Sequence, residues 1–185
     1  FPVVLALSLM LFGKSAIAAR CLLAIVGTAA CGAVYLLGRR LFDEKVGLLA
    51  CAFTAISPVM IGFSVLLLSE TLFALTLTLS VWSAAKWLSE TDAVINTTKS
   101  TWGWALATGF CVAIATYVRP SWLLAGPGLA LLAVIVSKQR VRRTLEAGVM
   151  LLALYGTLLP WAVRNHAVCG HWVFTTLWSG ASLYD

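Results

Sequence analysis

The amino-acid sequence predicts an all-α, polytopic membrane protein, on three observations. First, the 185-residue chain is 61% hydrophobic and only 11% charged, with a mean hydropathy of +0.96, a balance foreign to soluble domains of this size. Second, residues 46–85 contain a single charged residue, Glu70, and residues 100–137 contain a single one, Arg119. As one helix each run would reach roughly 60 Å, against a hydrocarbon core of about 30 Å. Each therefore reads as two spans meeting at a hairpin, with its lone charge near the tip. Third, Lys and Arg collect in short loops on one side of the predicted spans.

The elements follow in order. Residues 1–13 are apolar but too short to cross, and read as a short interfacial helix. They lack a basic leader and more spans follow, so they do not read as a signal peptide. Residues 17–38 form the first span, closed by Gly38-Arg39-Arg40 and a mixed-charge loop to Lys45. The second span starts near Val46 and ends at Ser57-Pro58, because a residue before proline is pushed out of helical geometry. Residues 58–69 read as a turn or re-entrant piece, and 70–87 as the third span. Residues 88–99 are the one clearly polar loop; the fourth span is 101–118 and the fifth 121–137. A basic loop from Lys138 to Arg143 leads to a sixth span over 145–162, expected to stop at Pro160-Trp161. The expectation is thus about six spans plus the interfacial helix, with residues 1–185 a single transmembrane domain. The chain opens at Phe1 in mid-pattern and ends as a polar, aromatic segment begins. It reads as a fragment of a larger protein, missing upstream and downstream parts and inactive alone.

Loop charges set the expected orientation. With 39–45, 88–99 and 138–143 inside, nine Lys/Arg lie inside, against Lys14, Arg20, Arg119 and Arg164 outside, as the positive-inside rule requires. Trp82, Trp87, Trp102 and Trp104 would mark the inner interface, and Trp122, Trp161, Trp172 and Trp178 the outer one. The net charge of +6 is therefore a topology signal and does not point to nucleic acid. The sequon Asn96-Thr97-Thr98 falls on the inner side, where it would carry no glycan. Cys31, Cys51 and Cys111 sit within spans as small apolar residues; Cys21 and Cys169 lie near the outer face, and no Cys/His cluster suggests zinc.

Glu70, Arg119 and Arg164 fall at the outer ends of three hairpins, with Arg20, Lys14 and Asn165 on the same side. Charges at membrane depth are costly, so they pair, face a wet cavity or do chemistry. Plain readings exist for each. Arg20 and Arg164 fit as snorkelling anchors, Arg119 as the partner of Glu70, and Glu70 as an acid favoured at a helix N-terminus after Ser69. The functional reading is an anion-and-metal site. Guanidinium groups bind phosphate oxygens in a fork, and a carboxylate can hold a divalent cation or orient an acceptor.

Six stretches together resemble a known group. They are Ala19-Arg20, Tyr35-Leu-Leu-Gly-Arg-Arg-Leu-Phe42 with Ala55-Ile-Ser-Pro58, Leu68-Ser-Glu-Thr-Leu-Phe73, Tyr117-Val-Arg-Pro120, and Pro160-Trp-Ala-Val-Arg-Asn165 followed by Gly170. Their order and spacing resemble the C-type, multi-span glycosyltransferases, and among these the bacterial relatives of protein O-mannosyltransferases and of the aminoarabinose transferase of lipid A. The resemblance implies transfer of a sugar from a polyprenyl-phosphate-linked donor to a lipid, glycan or protein acceptor at the periplasmic face of the bacterial inner membrane. It places the catalytic Asp in an outer loop upstream of Phe1. It gives Glu70 the role of second acidic residue, catalytic or metal-binding, and makes Arg119, Arg164, Asn165 and Arg20 candidates for the donor phosphate. The competing reading is a transporter or flippase subunit in which Glu70 and Arg119 form an ion pair along the path.

Overall fold

The computed structural model describes residues 6, 10, 15–66, 69–93, 98–137 and 139–175, and all of the ordered structure is helical. Seven α-helices are present among these residues: α1 (Ala16–Leu41), α2 (Glu44–Ile56), α3 (Pro58–Val65), α4 (Glu70–Ala93), α5 (Thr98–Val118), α6 (Ala125–Val136) and α7 (Arg140–Cys169), with a 3-10 turn over Pro120–Leu124. The predicted interfacial helix at 1–13 lies almost wholly outside the described residues, as do Asn96 and Thr97 of the sequon. The chain forms two compact units, Phe1–Ala85 and Lys86–Asp185, and α4 runs from the first into the second.

In the first unit, α1 begins at Ser15, whose hydroxyl accepts from the Ala18 N–H at 3.3 Å, satisfying one of the donors a helix start leaves open. It ends with Arg39 and Arg40 in its last turn, where the helix dipole favours cations. Asp43 caps α2 by accepting from the Val46 N–H at 2.7 Å. Only Phe42 and Asp43 separate the two helices, so the charged 39–45 stretch is mostly helical rather than a loop. The hairpin closes tightly because Gly38 and Gly47 face each other. A Cβ on Gly47 would lie 2.8 Å from the Arg39 nitrogen and 2.9 Å from the Tyr35 carbonyl oxygen. The break at Ser57-Pro58 occurs as predicted. Ser57 is extended, Pro58 opens α3, and α2 and α3 bend by 51°, either one broken span or a re-entrant loop.

In the second unit, α5 and α7 run parallel with α6 antiparallel to them. Ala105, Ala130, Ala133, Ala147, Met150 and Trp87 form one buried cluster; Val112, Ala113, Leu154 and Leu158 form the next along. Gly109 lets α5 meet α7 backbone to side chain: a Cβ there would strike the Met150 carbonyl oxygen and the Ala153 methyl. Across both units, eleven of the seventeen buried apolar residues among the described residues are alanine, while Leu131, Leu132, Ile135, Leu145 and Leu152 point outward. Such close backbone approach through small residues is what holds helices together in lipid, where burying a large side chain gains little.

Among the described residues four helices, α1, α4, α5 and α7, are long and apolar enough to cross a membrane, or five crossings if the bent α2–α3 pair counts as one. The chain is thus a multi-pass membrane protein, with four or five supported spans where the sequence predicts six. With the bent pair counted as one span, the remaining difference lies at 121–137. There the chain spends its first residues in the 3-10 turn, and Pro120–Val136 remains a shorter apolar piece. The predicted stop at Pro160 is also corrected, because α7 continues through it to Cys169. Proline removes one N–H and crowds the carbonyls of the preceding turn. The carbonyl four residues back is that of Gly156; the Tyr117 hydroxyl donates to its neighbour, Thr157 O, at 2.7 Å. The helix ends instead at Gly170, in the left-handed conformation (φ 73°), with its N–H bonded to His166 O at 2.9 Å.

Candidate functional site

The five predicted site residues fall into two sets, one in each unit. In the first unit, Glu70 is the opening residue of α4, half-buried, with the Ser69 hydroxyl donating to its Oε2 at 3.4 Å. An acid in this position is favoured by the helix dipole. The next residue, Thr71, lies against Gly27 of α1, 3.5 Å from where a Cβ would stand, and shares a 3.5 Å hydroxyl contact with Ser64 of α3. The start of α4 is thereby held at mid-height on α1. Arg20 is exposed seven residues earlier on α1, about 10 Å along the helix axis from Gly27.

In the second unit, Arg119 occupies the break between α5 and the 3-10 turn. Its backbone is extended (φ −135°, ψ 111°), as a residue before proline must be. Its N–H closes α5 on Ala115 O at 2.8 Å, its carbonyl accepts from Trp122 at 3.0 Å, and its side chain is exposed. Arg164 and Asn165 sit on α7 at the same end. Two residues before Arg119, the Tyr117 ring meets the Trp161 ring edge-on at 6.4 Å and 86°, and the exposed Arg164 guanidinium lies over Trp161 at 4.9 Å. Asn165 is buried. Its Nδ2 donates to Val173 O at 2.8 Å and reaches Thr175 O at 3.5 Å, while the Trp161 Nε1 donates to Thr175 O at 2.7 Å. The segment 171–175 is thus folded back on α7, with Phe174 edge-on to Tyr155 and Trp172 stacked on His166.

Two exposed arginines, Arg119 and Arg164, border this end of the second unit, and the Arg164 guanidinium lies over the Trp161 ring. Asn165 instead spends its amide on the returning chain. Among the described residues no three of His, Cys, Asp and Glu come together to hold a metal ion. Glu70 supplies one carboxylate, and a metal ion there would need further ligands beside it.

A second polar cluster escaped the sequence reading. Arg140 to Arg143 form the first turn of α7 rather than a loop, and Glu146, three and four residues on, is fully buried. Its Oε2 accepts from Arg143 NH1 and from the Trp87 indole, each at 3.0 Å; its Oε1 accepts from the Arg142 Nε at 3.0 Å. Arg143, itself buried, also donates to the carbonyls of Trp87 (3.0 Å) and Leu88 (2.8 Å), and Arg142 to the Thr101 hydroxyl at 2.8 Å. Trp87 is therefore a core residue and not an interface anchor, because its N–H has a buried carboxylate to meet. The readable signal was the i, i+3 and i, i+4 spacing of the two arginines to Glu146. All five cysteines are free thiols.

Residues 1–162 match the family model for dolichyl-phosphate-mannose-protein mannosyltransferase. Glu70, Arg119 and Trp161 lie within the matched range, and Arg164 and Asn165 just beyond it. Neither the curated proteins nor the solved structures gave a match. The match spans most of the chain, and the chain therefore belongs to the dolichyl-phosphate-mannose-protein mannosyltransferase family.

Proposed function

We propose that this chain is the membrane-embedded part of a glycosyltransferase that moves a sugar from a polyprenyl-phosphate carrier to an acceptor hydroxyl on a lipid, glycan or protein at the periplasmic face of the inner membrane. The observation that carries the reading, beside family membership, is the pair of arginines at one end of the second unit, with Arg164 laid on Trp161 and Arg119 at the helix break. In the reaction the bond from the acceptor oxygen to the anomeric carbon forms as the bond from that carbon to the phosphate oxygen breaks. The hydroxyl proton passes to a carboxylate base, and polyprenyl phosphate leaves. Positive charge builds on the sugar ring while negative charge builds on the phosphate. Fixed guanidinium groups beside the phosphate therefore stabilise the transition state more than the ground state. Glu70 orients the acceptor. Arg119 and Arg164 hold the phosphate, and Arg20 draws the anionic headgroup toward the surface.

The test uses the full-length protein in nanodiscs with a radiolabelled polyprenyl-phosphate-linked sugar. Glu70→Gln should abolish transfer with expression unchanged, and Arg119→Gln should lower kcat/KM by about a hundredfold, the scale of removing one stabilising donor. Wild-type rates in both variants would overturn the assignment. The 51° break between α2 and α3 favours a second reading, since transporters use discontinuous helices at their substrate sites. Carrier-dependent movement of a labelled lipid across proteoliposomes, without sugar transfer, would select it.

A further inference from the structure

Trp161 has no place in the sequence reading except as an interface anchor, yet three separate contacts meet on it. Its ring face carries the Arg164 guanidinium at 4.9 Å. Its edge packs on the Tyr117 ring at 6.4 Å, two residues from Arg119. Its Nε1 donates to Thr175 O at 2.7 Å, beside the Asn165 bond to Val173 O. A side chain at a lipid interface needs none of these, and at 38% exposure Trp161 is only partly open. An arginine on an exposed helix position samples many rotamers, and an aromatic face beneath the guanidinium restricts them.

We infer that Trp161 is a positioning residue, which holds the Arg164 guanidinium and the 171–175 segment in place for a phosphate carried on a long-chain lipid. The inference rests on the proposed phosphate site and adds what aligns it. Asn165 belongs to the same device: it fastens the returning segment and leaves phosphate contact to the arginines.

Two variants separate the contacts. Trp161→Leu removes the aromatic face and the N–H; Trp161→Phe keeps an aromatic face and loses only the N–H. Binding is measured in nanodiscs on the full-length protein with undecaprenyl phosphate and with the uncharged undecaprenol as probes. In wild type the phosphate should bind more tightly than the alcohol. Trp161→Leu should weaken the phosphate by about threefold to tenfold, the range of a partly desolvated cation–π contact, with the alcohol unchanged. Trp161→Phe should keep most of the preference while hydrogen exchange across 171–175 rises. In the transfer assay the Leu variant should raise KM for the donor more than it lowers kcat. A merely structural role would weaken both lipids together, and that outcome overturns the inference. So does a Leu variant that keeps the full preference for phosphate, or a Phe variant as impaired as Leu; in these cases the phosphate site itself stands. Wild-type protein that binds the two lipids equally overturns the phosphate site, and the positioning role falls with it.

Discussion

Glu146 offers the sharpest test of the packing. Its carboxylate receives three donors, and Arg143 beside it has a side chain only 3% exposed. Substituting Glu146→Leu keeps the volume but removes the carboxylate that meets the buried Arg143 guanidinium. Removing one partner of a buried pair costs about 3–5 kcal/mol. Glu146→Gln is milder. One amide oxygen can still serve Trp87 and Arg143, while the amide nitrogen then faces the Arg142 Nε, and one such mismatch costs about 1–3 kcal/mol. Arg142 is 27% exposed and already bonded to Thr101, so it can turn toward water. The double variant Arg143→Met/Glu146→Leu removes both buried charges. It should recover most of the loss, since an apolar replacement of a whole buried pair is often neutral. The Trp87 and Leu88 carbonyls that Arg143 leaves are inside α4 and keep their helical bonding. The assay is thermal unfolding in mild detergent at a fixed scan rate, since irreversible unfolding makes midpoints rate-dependent. The expected order of midpoints is wild type, double variant, Gln, Leu. A Leu variant as stable as wild type, or a double variant no better than Leu alone, would refute the reasoning.

Further expectations follow from single contacts. Gly109→Ala drives a methyl into the Met150 carbonyl and Ala153; it should lower stability by about 1–3 kcal/mol, visible as a lower unfolding midpoint. Gly47→Ala meets backbone at 2.8 and 2.9 Å in the α1–α2 hairpin. It should loosen that hairpin, read as faster labelling of Cys51 by a membrane-permeant thiol reagent. Tyr117→Phe keeps the ring contact with Trp161 but removes the bond to Thr157 O. It should cost about 1 kcal/mol and raise hydrogen exchange around Pro160, with no change if α7 needs no help there.

The apolar runs made most of the helices legible. Spans at 17–38, 70–87 and 101–118 sit inside α1, α4 and α5, and the breaks at Pro58 and Arg119-Pro120 fall where proline geometry demands. What could not be read depends on partners distant in the chain. The helix α7 runs through Pro160, and beside it Thr157 O receives the hydroxyl of Tyr117, forty residues before Thr157. Trp87 is core because Glu146 lies fifty-nine residues away. The Arg140–Arg143 turn goes against the helix dipole, and its stability comes from the neighbouring buried acid, not from local propensity. For the site, position along the chain showed which charges border helix ends. It did not show that Asn165 serves the returning backbone, or that Arg164 rests on Trp161.

The packing by alanine and glycine has a further consequence for which changes the protein can absorb. In a soluble domain the interior accepts one large apolar residue for another and the surface accepts nearly anything polar. Here the roles reverse. Outward positions such as Leu145 and Leu152 on the span α7 are exposed; facing fluid lipid chains, which adapt to any apolar shape, Leu, Ile, Val and Phe should interchange there with little effect. Inward positions such as Ala105, Ala113 and Ala133 are buried between packed helices, where an added methylene has little room and should push helices apart. A saturation library should therefore show its most intolerant sites at the smallest residues, and its most permissive ones at the largest.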